Sequence, residues 1–249
     1  MQFIVPTELV DLPTKGLFYD EGHPLHNATT VEIKHMTTKE EDILTNQSYI
    51  KNGTVLDRLL QSVIVDNSIK VKDLYIGDKN AILVASRVFG YGPDYKANVT
   101  CPACKHNGNH TFDLQDLEHT SFEENLEKYN GTSDYEKKSL FLTVPRTKAN
   151  LELRLLKSDP GLNTKKTNTI VDLYKKIIKS VNGVSDPEYI NGYINSMAAV
   201  DSRYLRSIYS KIVPNIDFST EYECDECGTV SNLEVPLNAE FFWPDAEVY

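Results

Sequence analysis

Four cysteines, spaced as two C-x-x-C pairs, are the residues in this chain best suited to bind a metal ion. The first pair is Cys101 and Cys104, and the second is Cys224 and Cys227. Two thiolates in one tight turn can hold an ion together, and two such turns supply the four ligands of a structural zinc site. Strand-like runs flank each pair, so we expect each pair to form the tip of a β-hairpin. Zn²⁺ bound by four thiolates has no open coordination position and is structural rather than catalytic.

Three other uses of the four thiols stay open: two disulfides, four inert buried cysteines, or a redox pair. Disulfides are uncommon in reducing cytosol, and nothing in the sequence indicates an oxidising compartment. A redox C-x-x-C usually opens a helix rather than lying at a hairpin tip. Glycine follows each pair, at Gly108 and Gly228, which favours a metal knuckle. His106 and His110 lie near the first pair, but four cysteines already complete the shell, so we expect both histidines to be bystanders.

A metal ion that joins the two pairs would require the ends of the long intervening segment to lie side by side. The sequence therefore predicts an α+β fold with a split zinc-ribbon-like module of two β-hairpins, built from residues 98–112 and 216–236. The remaining segments are predicted to be an extended arm with a short strand (1–36), a helical region (37–97), an insert with a β-hairpin and three helices (113–215) and an aromatic tail (237–249).

The arm is predicted to be extended because Pro6, Pro13 and Pro24 interrupt any helix. A short alternating strand is expected at residues 30–34. The cluster at residues 17–19 could pack on the same chain or dock on a neighbouring subunit, and we favour packing. We likewise expect the apolar tail residues, which are Phe241, Phe242 and Trp243, to fold onto the body of the protein.

Helix signals dominate the region before the first cysteine pair. A capping box at Thr38 and Glu41 predicts a first helix that runs towards Gly53. Thr54 is predicted to cap a second helix, whose apolar residues recur at the spacing of one face. A third helix is predicted to open at Gly77 and to end in a run of glycine and proline shortly before the first pair.

The insert is predicted to combine strands and helices. Residues 140–144 and 151–156 indicate a β-hairpin, and residues 122–126 a short helix. A strand at residues 216–218 is expected to return the chain to the second pair. Three helices are predicted between these strands: one over residues 170–181, one behind a capping box at Ser185–Glu188, and one capped by Asp201.

Charge and motifs exclude several classes of function. The 249 residues carry a net charge of −10, which argues against a general nucleic-acid binder. A small basic patch is interpreted as a solvated helix face; it consists of Lys165, Lys166, Lys175, Lys176 and Lys179. No nucleotide-binding, hydrolase or metalloprotease motif occurs, so no catalytic residue is predicted. The first residues do not predict a signal peptide, and no run approaches the about 20 apolar residues of a membrane span.

The order of several short motifs resembles the baseplate proteins of T4-like tailed phages. The stretches that carry this resemblance are residues 12–19, 36–44, 77–83, 87–95 and 99–104, followed by the distant second C-x-x-C. The similarity covers most of residues 8–105 and the second pair near residues 218–236. It is to the family described as baseplate hub subunit or hub assembly chaperone.

The resemblance implies a non-enzymatic protein that helps to form the hub through contacts with other baseplate hub proteins. It implies no small-molecule substrate, no nucleic acid and no membrane. The expected location is the host cytoplasm during assembly, and also the tail baseplate of the virion if the chain is a permanent subunit; the resemblance does not choose between subunit and chaperone. The alternative function is a zinc-ribbon regulator that binds nucleic acid, and an enzyme with an unrecognised site is a weaker third one.

Overall fold

The computed structural model describes residues 5–158, 169–237 and 239–242. Within these ranges the chain forms eight α-helices and ten β-strands, so the predicted mixture of helices with small sheets is confirmed. The strands make one four-stranded sheet and three two-stranded sheets. None of the helices in these ranges is both long and apolar enough to cross a membrane.

The elements follow one another in a simple order. The helices are α1 (Thr38–Thr45), α2 (Gln47–Lys51), α3 (Val55–Val63), α4 (Ile76–Tyr91), α5 (Phe122–Lys128), α6 (Ile170–Ile177), α7 (Pro187–Ser196) and α8 (Ala199–Ile212). The strands are β1 (Thr7–Asp11), β2 (Thr30–Lys34), β3 (Asp94–Thr100), β4 (Asn107–Asp113), β5 (Thr132–Asp134), β6 (Ser139–Thr143), β7 (Asn150–Leu153), β8 (Ile178–Val181), β9 (Ser219–Glu223) and β10 (Val230–Glu234).

The arm begins with a strand that the sequence pattern did not predict. β1 pairs antiparallel with the predicted strand β2, from Thr7 opposite Lys34 to Asp11 opposite Thr30. Only Val10 of β1 is buried, so β1 lacks the alternation of apolar and polar residues that marks a half-buried strand. Tertiary pairing with β2, rather than local pattern, makes this segment a strand.

Two helix starts differ from their predictions. The first capping box is formed by Thr37 and Glu40, one residue earlier than the predicted Thr38 and Glu41. The first helix was also predicted to continue towards Gly53, but it ends at Thr45. Asn46 then accepts hydrogen bonds from two following amides and starts the separate helix α2.

The remaining helices of this region lie close to their predicted places. Thr54 does precede α3, although its side chain makes no capping bond. α4 begins at Ile76, one residue before the predicted Gly77, and ends at Tyr91.

Residues 12–19 of the arm pack on the first turn of α4, in line with the prediction that residues 17–19 pack on the same chain. Phe18 and Tyr19 are fully buried. The buried Asp78 carboxylate accepts hydrogen bonds from the Thr14 amide at 3.0 Å, the Thr14 hydroxyl at 2.7 Å and the Tyr19 hydroxyl at 2.7 Å. Burial raises the pKa of Asp78, and these three hydrogen bonds partly offset that shift. The arm is therefore joined to α4 by polar contacts in the core as well as by apolar packing.

The same turn of α4 lies against the end of the insert. A Cβ atom on Gly77 would lie 2.0 Å from the carbonyl oxygen of Pro214, a distance that no side chain can occupy. One turn further on, the side-chain amide of Asn80 donates to Asn215 Oδ1 at 3.1 Å. The glycine therefore allows the backbone after α8 to approach α4 closely.

The insert is built around a four-stranded antiparallel sheet in the order β5-β6-β7-β8. The predicted hairpin is confirmed as β6 and β7, in which Leu142 pairs with Leu151. Its second strand ends at Leu153, so the predicted strand at residues 154–156 is wrong. The predicted helix over residues 170–181 is wrong in its last four residues, because α6 ends at Ile177 and residues 178–181 form β8. The spacing of the apolar residues at the end of α6 is compatible with either a helix or a strand. Pairing with β7 makes these residues a strand.

Asp201 does not cap α8, contrary to prediction, because the N-cap residue is Ala198. Its buried carboxylate instead accepts hydrogen bonds from the amides of Arg146 and Thr147, at 2.8 and 3.0 Å, and from the Thr147 hydroxyl at 2.7 Å. A helix side chain thus fixes the turn between β6 and β7. The cap of α7 also differs from the predicted box, because Asp186 alone accepts the capping bond, from the Tyr189 amide.

The two ends of the insert meet in a short ladder, here called the neck (residues 118–120 and 215–217). The Thr120 amide donates to the Asn215 carbonyl at 2.9 Å, and the Asp217 amide donates to the Glu118 carbonyl at 2.8 Å. Between them His119 and Ile216 form an antiparallel bridge. The strand predicted at residues 216–218 is thus reduced to this bridge, and β9 begins at Ser219.

The buried side chain of Arg87 holds the last described residues in place through a hydrogen bond. Arg87 of α4 donates from Nε to the Phe241 carbonyl at 2.8 Å, from one terminal nitrogen to the Gly92 carbonyl at 2.7 Å, and from the other to the Asp94 carbonyl at 3.0 Å. Phe241 and Phe242 are buried, which confirms their predicted packing. Trp243 lies outside the described residues.

We expect Glu40→Gln to destabilise the protein in a pH-dependent way. Burial raises the pKa of Glu40, but hydrogen bonds from Ser62, Lys34 and Thr37 outweigh it and lower the pKa to about 2. A carboxyl whose pKa falls from 4.5 unfolded to about 2 folded contributes about 3 kcal/mol. This contribution is complete above pH 4.5 and is lost as the pH falls through 2.

The free energy of unfolding of both chains, measured by urea denaturation from pH 7 to pH 2.5, tests this expectation. The wild type should be the more stable chain at pH 7, and the difference should shrink as the solution is acidified. Glu41→Gln is the matched control, because Glu41 is exposed on the same helix and should change little. A Glu40→Gln effect that is the same at every pH would contradict the assigned role of the carboxylate.

Candidate metal centre

Two antiparallel hairpins place the cysteine pairs at their tips, as the flanking strands predicted. β3 and β4 pair from Asp94 opposite Asp113 up to Thr100 opposite Asn107, immediately beside the first pair. β9 and β10 pair up to Glu223 opposite Val230, immediately beside the second. Each hairpin is a separate two-stranded sheet, so no strand hydrogen bonds join them.

The two cysteine turns have the same hydrogen-bond pattern. In each turn the first cysteine donates its amide to the carbonyl five residues later and accepts from the amide four residues later. The distances are 2.8 Å (Cys101 to His106), 3.0 Å (Lys105 to Cys101), 3.1 Å (Cys224 to Thr229) and 2.8 Å (Gly228 to Cys224). The repeated geometry presents both thiols of a turn on one side.

The residue after each second cysteine adopts a left-handed backbone. Lys105 has φ of 64° in the first turn and Gly228 has φ of 63° in the second. The sequence indicated glycine for both turns, but Gly108 lies in β4, so lysine takes this position in the first turn. The cost of a left-handed lysine is of order 1–2 kcal/mol, and the glycine in the second turn avoids it.

The four thiol groups converge on one point. All four Sγ atoms lie within 4.8 Å of one another. The Sγ atoms of Cys101 and Cys227 are 3.8 Å apart, and those of Cys104 and Cys224 are 3.7 Å apart, so both of these contacts join different hairpins. A tetrahedron with metal–sulfur distances of about 2.3 Å has edges of about 3.8 Å. All four cysteines are free thiols, and their spacing is compatible with one tetrahedral metal ion.

The site lies at the protein surface, and its surroundings shift the pKa values of its thiols in both directions. Cys101 and Cys224 are buried, whereas Cys104 and Cys227 are exposed. The Cys227 amide, directed at the Cys224 sulfur, is the largest influence that lowers the pKa of Cys224 to about 6. The Thr229 hydroxyl similarly lowers the pKa of Cys227. At Cys104 the His106 backbone lowers the pKa, but desolvation and the other three thiols outweigh it and raise that pKa to about 12. The thiolate is the metal-binding form, so Cys224 and Cys227 are the two cysteines whose surroundings favour that form.

The nearby histidines do not join the cluster. Among the described residues, the group of metal-binding atoms here consists of the four cysteines alone. The ring of His110 lies edge-on to Phe112 at 4.7 Å and to Tyr222 at 5.1 Å. His110 therefore contributes to packing between the first hairpin and the second.

The basic patch suggested by the sequence is divided in the structure. Lys165 and Lys166 lie outside the described residues. Lys179 forms an ion pair with Glu152 at 3.0 Å. Lys175 and Lys176 instead line a pocket together with cations of the segment after β7, which sequence reasoning missed. Those cations lie about 20 positions away in the chain, so no local pattern connects them to the lysines.

Comparison with known families gives one match that covers nearly the whole chain. The family model described as T4 bacteriophage base plate protein matches residues 10–243. This range includes both hairpins, the neck and the insert. Neither the curated proteins nor the solved structures gave a match.

Replacing Gly228 should destabilise the second hairpin through its backbone alone. A Cβ atom at this position would meet nothing within 4 Å, so packing is not at issue. We expect Gly228→Ala to lower stability by about 1 kcal/mol and Gly228→Asn by less, because asparagine tolerates the left-handed region better. Thermal unfolding of the three chains checks this order. An alanine variant as stable as the wild type would show that the turn does not need this conformation.

Proposed function

The chain belongs to the family of T4 bacteriophage base plate proteins, and from this premise we propose that it acts in assembly of the baseplate hub through contacts with other baseplate proteins. The proposed role is non-enzymatic, either as a hub subunit or as a hub assembly chaperone. The chain would act in the host cytoplasm during assembly and, as a subunit, would remain in the tail.

The match over residues 10–243 is the observation that carries this proposal. Two further features support it. The sequence has no recognisable catalytic motif, and the acidic net charge of −10 does not favour general binding to nucleic acid. The motifs that first suggested the hub also have structural roles here, because residues 12–19 and the first turn of α4 hold the arm on the body.

We further propose that Cys101, Cys104, Cys224 and Cys227 bind one structural Zn²⁺ ion, which makes the two hairpins a split zinc ribbon. The convergence of four sulfur atoms at tetrahedral spacing supports this assignment. When bound, the ion would supply a closed shell of four metal–sulfur bonds and no reactive position. The four side chains would hold the hairpin tips together, and with them the two ends of the insert.

A bound ion would stabilise the contact between the two hairpins. A two-stranded hairpin is marginally stable by itself, and here two of them meet mainly through side chains. The His110–Tyr222 contact and a hydrogen bond from the Tyr95 hydroxyl to the Pro236 carbonyl, 3.0 Å long, are examples. Below the hairpins, the neck already joins the insert ends by backbone hydrogen bonds. Loss of the ion should therefore loosen the hairpins while the helices remain folded.

The zinc assignment predicts one zinc ion per chain in the purified protein and its loss in Cys224→Ser. If the ion contributes about 2 kcal/mol or more, its loss lowers the melting temperature by roughly 5 °C in a chain of this size. Far-ultraviolet circular dichroism should retain the helical signal. Elemental analysis by mass spectrometry and thermal unfolding provide the two readouts.

His106→Ala is the matched control for the zinc prediction. It changes a potential ligand two residues from Cys104 but should keep the full metal content and melting temperature. Chelation of the wild-type protein should reproduce the Cys224→Ser melting curve. If Cys224→Ser retains both metal and stability, the ion does not join the two hairpins.

Quantitative mass spectrometry of purified tails tests the proposed hub role. A fixed small number of copies per tail would identify the chain as a hub subunit. Absence from tails together with presence in hub assembly intermediates would identify it as a chaperone that leaves. Absence from both would contradict the hub proposal and favour the nucleic-acid-binding alternative.

A further inference from the structure

A pocket of about 590 Å³ lies between the segment that follows β7 and the last turn of α6. Four cationic residues line it, and its apolar surface includes an aromatic ring. The cations are Arg154, Lys157, Lys175 and Lys176, and Tyr75 and Leu156 contribute to the apolar part. The volume lies in the range of ordinary ligand sites in proteins, about 300–1,000 Å³.

The residues that carry these cations are held on several sides. The Arg154 amide donates to the Ile177 carbonyl at 2.8 Å, and the Arg154 carbonyl accepts from the buried Tyr209 hydroxyl at 2.8 Å. The Ile76 amide, at the start of α4, donates to the Leu156 carbonyl at 3.0 Å. The segment after β7 is thus fastened to α4, α6 and α8. The spacing of its cations from those of α6 is set by the fold, which reduces the ordering cost of binding a ligand.

Three of the four pocket cations, Arg154, Lys157 and Lys175, differ from several ion-paired lysines of this chain. Lys34, Lys79 and Lys179 each form an ion pair with a carboxylate. By comparison, no carboxylate within the described ranges lies at ion-pair distance from Arg154, Lys157 or Lys175. Asp172, one turn before Lys175 and Lys176 on α6, accepts hydrogen bonds from the hydroxyl and amide of Thr169, which lower its pKa, and the positive charges of the two lysines lower it further. A concentration of positive charge therefore persists on a chain whose net charge is −10.

Tyr75 contributes the apolar face of its ring, rather than its hydroxyl group, to the pocket. The Tyr75 hydroxyl donates to the Phe18 carbonyl at 2.7 Å, so it is already used in the core. Lys157 Nζ lies 5.4 Å from the centre of the Tyr75 ring, within the range of a cation–π contact. A ligand would thus meet positive charge and apolar surface together. Several closely spaced carboxylates on a short aliphatic scaffold match this combination.

We propose that this pocket binds an acidic peptide segment of a partner protein, one that presents two or more neighbouring Asp or Glu side chains. The identification of the partner as a baseplate protein depends on the function proposed above, whereas the recognition chemistry does not. A single open pocket of this volume can hold a few residues. A nucleic-acid strand instead requires an extended basic groove along its backbone, which the acidic net charge disfavours.

Titration of the full purified chain with a tetra-aspartate peptide blocked at both ends tests the proposal. Isothermal calorimetry should detect binding that weakens as salt increases, because exposed charges are screened. The variant Lys157→Glu/Lys175→Glu should bind at least tenfold more weakly. Lys51→Glu/Lys96→Glu is the matched control, with the same change in charge at exposed sites elsewhere, and should bind like the wild type.

Two further probes separate peptide recognition from general anion binding. Inorganic phosphate and a twelve-nucleotide single-stranded DNA are titrated under the same conditions. Tighter binding of either probe than of the peptide would overturn the proposal in favour of a phosphate site. Absence of peptide binding, or equal binding by the pocket variant and its control, would also overturn it. Circular dichroism confirms that each variant is folded.

The outcome of these titrations is distinct from the test of the hub role. Peptide binding by a chain that is absent from tails and assembly intermediates would support the pocket while removing the hub function. Normal incorporation into tails without peptide binding would overturn the pocket and leave the hub function in place.

Discussion

The structure depends on closure of one long loop, because the two hairpins can approach each other only if both ends of the insert return to the same place. Closing a loop of this length carries an entropic cost that local structure cannot offset. Two sets of contacts close the loop. The neck pairs residues 118–120 with residues 215–217 through backbone hydrogen bonds, and the four thiols converge at the hairpin tips. The sheet and helices of the insert can consequently form one body between fixed ends.

Helix α4 is the second organising element, since it contacts both parts of the chain that precede and follow the insert. In its first turn, Asp78 accepts hydrogen bonds from the arm. Gly77 has no side chain, so the backbone after α8 can approach this turn closely. Its last turns hold the chain beside the first hairpin through Arg87. The arm, the hairpins and the insert therefore share one scaffold, and a surface presented by any of them is positioned by the same helix.

The parts that could be predicted from the sequence are those specified by local chemistry. A C-x-x-C turn between strand-like runs specifies a hairpin tip, and alternating residues specified β6 and β7. The capping box was displaced by one residue because residues 37–41 contain two overlapping matches to the same motif. β8, the buried role of Asp201 and the cationic pocket could not be predicted in this way. Each depends on a partner that only the tertiary fold brings near: β7, the β6–β7 turn, and Arg154 beside α6.

The contact between Arg87 and Phe241 has a consequence for the order in which the protein matures. The ribosome releases α4 and the first hairpin early, but Nε of Arg87 reaches its carbonyl acceptor only when residue 241 has been synthesised. Cys224 and Cys227 are made only after the whole insert, so the first cysteine pair is without the second while the insert is synthesised. Final packing of the N-terminal half therefore waits for residue 241, and a nascent chain arrested before this residue should still expose the corner between α4 and β3.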